Sequence, residues 1–198
     1  MARDYQNPIH EHIGDIDRLV EGVIRSFALH AAPDRRLLFK THPIDNGLSD
    51  WRRRIADIAH AQGVSDRVDL IDGGDLDRLI ARAVGVVTVN STVGLTALLA
   101  AKPVISLGAS VYDMPGVTHQ GSLASFWTKP EAPQAGMPDA LARALIATIQ
   151  VRGGFIGKAA IESGAHEMVE RILAPSPHLS ERPAGPVAFR YEAELSNG

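Results

Sequence analysis

The sequence predicts an α/β fold, a Rossmann-like parallel sheet with helices on both faces. Two patterns carry this expectation. Four short, largely apolar runs stand at residues 37–41, 67–71, 85–89 and 103–107, the length and texture of buried strands rather than helices. Between them lie stretches with helical spacing, and parallel strands need such crossover helices to join them. With 198 residues, 45% hydrophobic and 22% charged, the chain is long enough to bury a sizeable core as one domain with a tail.

The first helix is predicted from Asp15, where Ile16, Leu19, Val20, Val23, Ile24 and Phe27 recur at helical spacing until Pro33 stops the pattern. Leu37 to Thr41 reads as a strand, ended by His42-Pro43 because Pro43 has no N–H for a ladder. Ser49 is the expected cap of a second helix through Trp51, Ile55, Ile58 and Ala59 to Gly63. Arg67 to Ile71 is a strand, Asp75 to Ala83 a helix, and Gly85 to Val89 another strand. Thr92 to Ala101 is a helix of small apolar residues, expected to pack on both sides, and Pro103 to Leu107 is the fourth strand. After Gly108 the regularity lapses into a long loop, followed by a helical turn over Ser122 to Trp127 and a linker over Pro130 to Pro138. Asp139 to Gln150 and Ala159 to Leu173 read as helices separated by Gly153-Gly154. Residues 1–14 are expected to be a linker, 15–173 the Rossmann-like domain, and 174–198, rich in Pro and poor in apolar residues, a poorly ordered tail.

Composition narrows the function classes. Twenty Lys and Arg against 23 Asp and Glu give a net charge of −3, without the basic surplus of a nucleic-acid binder. Cys is absent, which removes disulfides, thiolate metal sites and Cys nucleophiles. No apolar run approaches the ~18 residues of a membrane span, and nothing at the N-terminus has the form of a secretory signal. A cytoplasmic location is expected. No Gly-x-Gly-x-x-Gly, Walker-type loop or Gly-x-Ser-x-Gly occurs, so dinucleotide, P-loop and nucleophile-elbow chemistries are not supported. His10 and His12 flank Glu11, but no spacing of His and carboxylates elsewhere completes a metal site.

In open parallel sheets ligands bind beyond the carboxyl ends of strands, and three loops of this kind hold unusual residues. Lys40 and His42, two apart in an extended segment, point to one side and could meet one anion. The plainer reading is a surface Lys beside a His bonded to a neighbouring loop. In Asn90-Ser91-Thr92-Val93-Gly94-Leu95, Ser91 is the predicted N-cap of a helix whose first N–H groups and positive dipole end suit a phosphate. Gly94 would allow a ligand or strand to approach closely, and Asn90 could orient a ligand or close a turn; the plainer reading is an ordinary cap. The loop 108–121 carries Asp113, His119 and Gln120, polar groups that could serve chemistry or hold the loop together. Tyr112 and Trp127 are expected at the rim or in the core, with base or sugar stacking as the lesser reading.

Taken in order, Lys40-x-His42-Pro43-x-Asp45, Asn90-Ser91-Thr92-Val93-Gly94-Leu95, Tyr112-Asp113-x-Pro115-Gly116-x-Thr118-x-Gln120-Gly121, Phe126-Trp127 and Gly153-Gly154-Phe155 resemble the capsule polysaccharide biosynthesis family. Its members include retaining β-Kdo transferases that build the Kdo linker on a capsule's lipid anchor. The resemblance runs from about Asp4 to Phe155 and implies the C-terminal, donor-binding half of a two-domain GT-B glycosyltransferase. It implies CMP-Kdo as donor, no metal or other cofactor, and peripheral contact with the inner membrane through a lipid-linked acceptor. Lys40 and His42 would grip the donor phosphate, and Asn90, Ser91, Thr92 and Gly94 would form the helix-start motif. Gln120 would lie on the loop that closes on the donor. Of this set His42 and Gln120 are the catalytic candidates, His42 by protonating the leaving phosphate. The family's N-terminal half, with the acceptor site and the carboxylate expected to act as nucleophile or base, has no counterpart here. The chain is therefore expected to bind a nucleotide sugar yet not transfer it alone, and to need an N-terminal partner or to self-associate. Two other readings are a non-catalytic capsule assembly or export factor and a nucleotide-sugar epimerase-like domain; cytidine, uridine or no nucleotide preference would separate the three.

Overall fold

The computed structural model describes residues 16–41, 50–148, 151, 153 and 157–173. In chain order these form α1 (Ile16–His30), β1 (Leu37–Lys40), α2 (Trp51–Ala61), β2 (Val68–Ile71), α3 (Leu76–Arg82), β3 (Val86–Thr88), α4 (Thr92–Leu99), β4 (Val104–Ser106), α5 (Leu123–Thr128), α6 (Met137–Thr148) and α7 (Lys158–Leu173). The predicted alternation is therefore present. The expected linker 1–14 and tail 174–198 lie outside the described residues. The chain divides into two compact units, one holding the strands and α1 to α5 and the other beginning at Gly136.

In the first unit, α1 follows the periodicity of its sequence. Leu19, Val20, Val23, Ile24 and Phe27 are buried, while Ile16, the first residue of the helix, is exposed. The buried stripe divides between two cores. Leu19 and Val23 join Ile105, Leu107, Leu123 and Phe126. Val20, Ile24 and Phe27 join Ile55, Ala59, Val64 and Val68. Leu37, Phe39 and Trp127 pack against both clusters. Trp127 also donates its indole N–H to Ser26 Oγ at 3.0 Å and meets Phe27 edge-on, with centroids 5.5 Å apart, so the expected core role for this residue holds.

The strands depart from the single sheet the sequence predicts. β1 and β2 pair in parallel from Leu37↔Val68 to Lys40↔Ile71, and β3 and β4 pair in parallel from Val86↔Val104 to Thr88↔Ser106. These are two separate two-stranded sheets. Leu37 and Phe39 of β1 and Val87 and Val89 around β3 pack on one cluster. Side-chain packing joins the pairs there, where a continuous ladder was expected. Cover is also uneven: β4 is wholly buried, whereas Leu38 in β1 is 44% exposed.

Two helix readings change as well. The N-cap of α2 is Asp50, whose carboxylate accepts the Arg53 N–H at 3.1 Å, not Ser49, which lies outside the described residues. α4 is packed on one side only: Gly94, Ala97 and Leu98 are buried, while Thr92, Thr96 and Leu99 are exposed. Its all-round apolar composition hid which face turns inward. α4 ends on Ala101, whose φ of 55° is left-handed, with the Lys102 N–H returning to the Ala97 carbonyl at 2.9 Å. Lys102 Nζ in turn donates to the Ala81 carbonyl of α3 at 2.7 Å.

In the second unit, α6 and α7 line an open trough formed by Arg143, Ile146, Ala147, Ser163, His166, Glu167 and Glu170. Gly153 has a φ of 152°, and a Cβ there would lie 2.5 Å from the Gly164 nitrogen. A backbone crossing this close excludes any larger residue. Gly154 and Phe155 lie outside the described residues.

Candidate functional site

The best-defined polar assembly lies where β3 and β4 end. Thr88 Oγ1 accepts the Ser91 N–H at 3.2 Å, and Ser91 Oγ accepts the Val93 N–H at 3.2 Å. Ser91 is thus the N-cap that the sequence predicts. Thr92 follows as the first helical residue and is exposed. The helix start carries the partial positive charge of aligned peptide dipoles, so this end of α4 suits an anion. Asn90, half-buried, lies in the turn that feeds it.

Gly94 is buried beneath Tyr112. A Cβ on Gly94 would lie 2.6 Å from the phenol carbon Cζ, so an aromatic ring makes the close approach that the sequence left open to a ligand or a strand. The Tyr112 hydroxyl donates to the Ser91 carbonyl at 2.6 Å. Only 2% of Tyr112 is exposed. Burial pushes its phenol above the ordinary value, while hydrogen bonds with the Ser110 and Thr88 hydroxyls pull it back down. Ser106, which is fully buried, completes the floor. Its Oγ lies 2.7 Å from the Val89 carbonyl, 2.9 Å from that of Gly108 and 2.6 Å from Ser110 Oγ. Sequence reasoning missed Ser106; the signal available was a lone hydroxyl closing an apolar strand, which must find partners when buried.

The loop after β4 is braced from within. Asp113 Oδ1 accepts from Thr118 Oγ1 at 2.6 Å and from Gln120 Nε2 at 3.3 Å, and Gln120 Nε2 also donates to Thr118 Oγ1 at 2.8 Å. Gln120 itself is exposed. His119 points inward and is 3% exposed. Its Nε2 lies 2.8 Å from Ser125 Oγ, and its Nδ1 lies 3.4 Å from the Glu131 N–H nitrogen and 3.3 Å from the Glu131 carboxylate. Ser125 Oγ donates to the Ser122 carbonyl at 2.8 Å. Its oxygen then accepts from Nε2–H, and Nδ1 accepts from the Glu131 backbone N–H, an assignment that follows from the hydrogen-bond network. Of the two roles open to His119 in the sequence, this geometry is that of a loop fastener.

Lys40 is the half-buried last residue of β1. Its ammonium donates to the Thr41 carbonyl at 3.3 Å, and the Thr41 hydroxyl donates to Asp72 Oδ1 at 2.7 Å. The described hydrogen bond of Lys40 runs along its own strand end, not to Ser91 or Gln120. His42, Pro43 and Asp45 lie outside the described residues, as do His10, Glu11 and His12. The structure thus brings Ser91 and Gly94 together under Tyr112, and Gln120 together with Asp113 and Thr118. Among the described residues no group of three or more His, Asp or Glu gathers to hold a metal ion. No described helix is long and apolar enough to cross a membrane.

Comparison with known proteins identifies the family. A family model described as "Capsule polysaccharide biosynthesis protein" matches residues 1–156. The capsule polysaccharide modification protein LipB of Neisseria meningitidis, serogroups A and B, is 34% identical over 153 residues, covering 77% of this chain and 36% of LipB. The capsule polysaccharide export protein KpsS of Escherichia coli is 33% identical over 124 residues, covering 63% of this chain and 32% of KpsS. Protein FixF of Sinorhizobium fredii is 33% identical over 90 residues, or 46% of this chain and 20% of FixF. The chain spans about a third of the length of the first relatives it matches. No solved structure matches it. With a family match over most of its length and the capped α4 start within it, the chain belongs to the capsule polysaccharide biosynthesis family.

Proposed function

We propose that the chain supplies the donor-binding part of a retaining β-Kdo glycosyltransferase of the GT-B type, taking CMP-Kdo during capsule polysaccharide synthesis. The observation that carries this reading is the Ser91-capped start of α4, set at the end of a parallel strand in a chain of the capsule family. Departure of CMP builds negative charge on a phosphate. A helix N-terminus, Lys40 and His42 would stabilise that charge, and His42 would protonate it. Gln120, on the braced loop, would close on the donor. The acceptor site and the nucleophile or base would come from the part of the relatives that this chain does not span, so the chain alone would bind donor without transferring sugar.

Calorimetric titration with CMP, with UMP as control, tests the reading. Binding of CMP in preference to UMP, reduced at least tenfold in Lys40→Ala/His42→Ala, is the expected result; charged hydrogen bonds of this kind are worth about 1.5–3 kcal/mol each. Failure to bind either nucleotide would overturn it. A second reading, a non-catalytic assembly or export factor, is favoured by the likeness to the Escherichia coli capsule polysaccharide export protein, and it predicts no binding in that titration.

A further inference from the structure

We infer that Tyr112 and Asp113 form a strut that sets the distance between the start of α4 and Gln120, so that both can meet one phosphate-bearing donor. The inference rests on the donor-site reading above. The two neighbouring side chains engage different partners. Tyr112 turns inward, lays its ring on Gly94 and donates to the Ser91 carbonyl at 2.6 Å. Asp113 accepts from Thr118 at 2.6 Å and from Gln120 at 3.3 Å.

The strut has fixed ends. Its base is a turn in which the Asp113 N–H returns to the Ser110 carbonyl at 3.0 Å, and the Ser110 hydroxyl is held 2.6 Å from the buried Ser106. Its far limb is fixed where the His119 N–H donates to the Val104 carbonyl at 2.8 Å. Both limbs of the loop are therefore fastened to β4, and Tyr112-Asp113 braces the span between them. A carboxylate near an anion site would repel the ligand if it faced it. Asp113 instead spends an oxygen on a hydroxyl and an amide, which makes it a positioning residue acting through Gln120.

The test uses the full chain, with CMP and cytidine as probes. Wild type should prefer CMP, since only CMP carries the phosphate. Tyr112→Phe keeps the ring and removes the donor; it should weaken CMP about fivefold, the worth of one hydrogen bond, and leave cytidine unchanged. Asp113→Ala and Gln120→Ala should each weaken CMP, and together should do no more than either alone, because one acts through the other. Asp113→Asn keeps an acceptor oxygen and should restore binding. Faster amide exchange at Val93 and Gly94 in Tyr112→Phe should report the loosened helix start directly. An unchanged CMP-to-cytidine ratio in Tyr112→Phe, or additive losses for Asp113 and Gln120, would overturn the strut. If wild type binds neither probe, the donor-site reading falls, and unchanged exchange at Val93 and Gly94 would then overturn the strut separately.

Discussion

Tyr112 occupies the space above Gly94 that a side chain would fill, and its hydroxyl meets the Ser91 carbonyl. Nothing at Gly94 in the one-dimensional sequence says what will approach it; the ring arrives from 18 positions later, across β4 and into the loop. The burial that secures this contact also makes it sensitive to alkali. Because the folded phenol is raised above the ordinary value of 10.0, its contribution to stability is whole below about pH 10. It is lost as pH rises through the folded value, where the unfolded chain releases the proton first. Denaturant titration at rising pH should show wild type losing stability above pH 10, with Tyr112→Phe losing less over the same range. Equal losses in the two proteins would mean that other groups carry the alkaline transition.

The element that organises the first unit is α1. One stripe of its surface serves two cores, with Leu19 and Val23 toward β4 and α5, and Val20, Ile24 and Phe27 toward α2 and β2. Phe27 is 1% exposed and stacks edge-on with Trp127, which itself joins both clusters. Truncating it would leave a cavity between layers that side chains hold together, since among the described residues no ladder joins the β1–β2 and β3–β4 sheets. Phe27→Ala should cost about 3–5 kcal/mol in urea unfolding. A loss below about 1 kcal/mol would show that the layers collapse readily around the gap.

At the scale of the whole molecule, every residue of the two core clusters lies between Leu19 and Trp127. Among the described residues both clusters thus end before Ala135, while Leu145 of α6 is buried outside them. Ending the chain after Ala135 should shift the thermal midpoint by less than about 4 °C, the equivalent of about 1 kcal/mol, and, on the proposed donor-site reading, should leave CMP binding as in the full chain. Loss of a cooperative transition would place part of the first unit's stability beyond Ala135. In unit two, Leu145 of α6 is buried, whereas Ile161, Met168, Val169, Ile172 and Leu173 of α7 are exposed.

The alternation of strands and helices, the buried stripe of α1 and the Ser91 cap were legible in the sequence because each depends on neighbours within a turn or two: apolar periodicity, strand length and a hydroxyl before a helix. The order of the capsule-family motifs was legible for the same reason, since a motif is a local string. Other features were decided by groups far apart in the chain. The division into two parallel pairs, the one-sided burial of α4, the inward turn of His119 and the Tyr112–Gly94 contact all depend on which surfaces meet after folding. Ser106 shows the difference most plainly: the sequence predicts the strand that holds it, but Val89, Gly108 and Ser110 become its hydrogen-bond partners only when β3, β4 and the following loop are brought together.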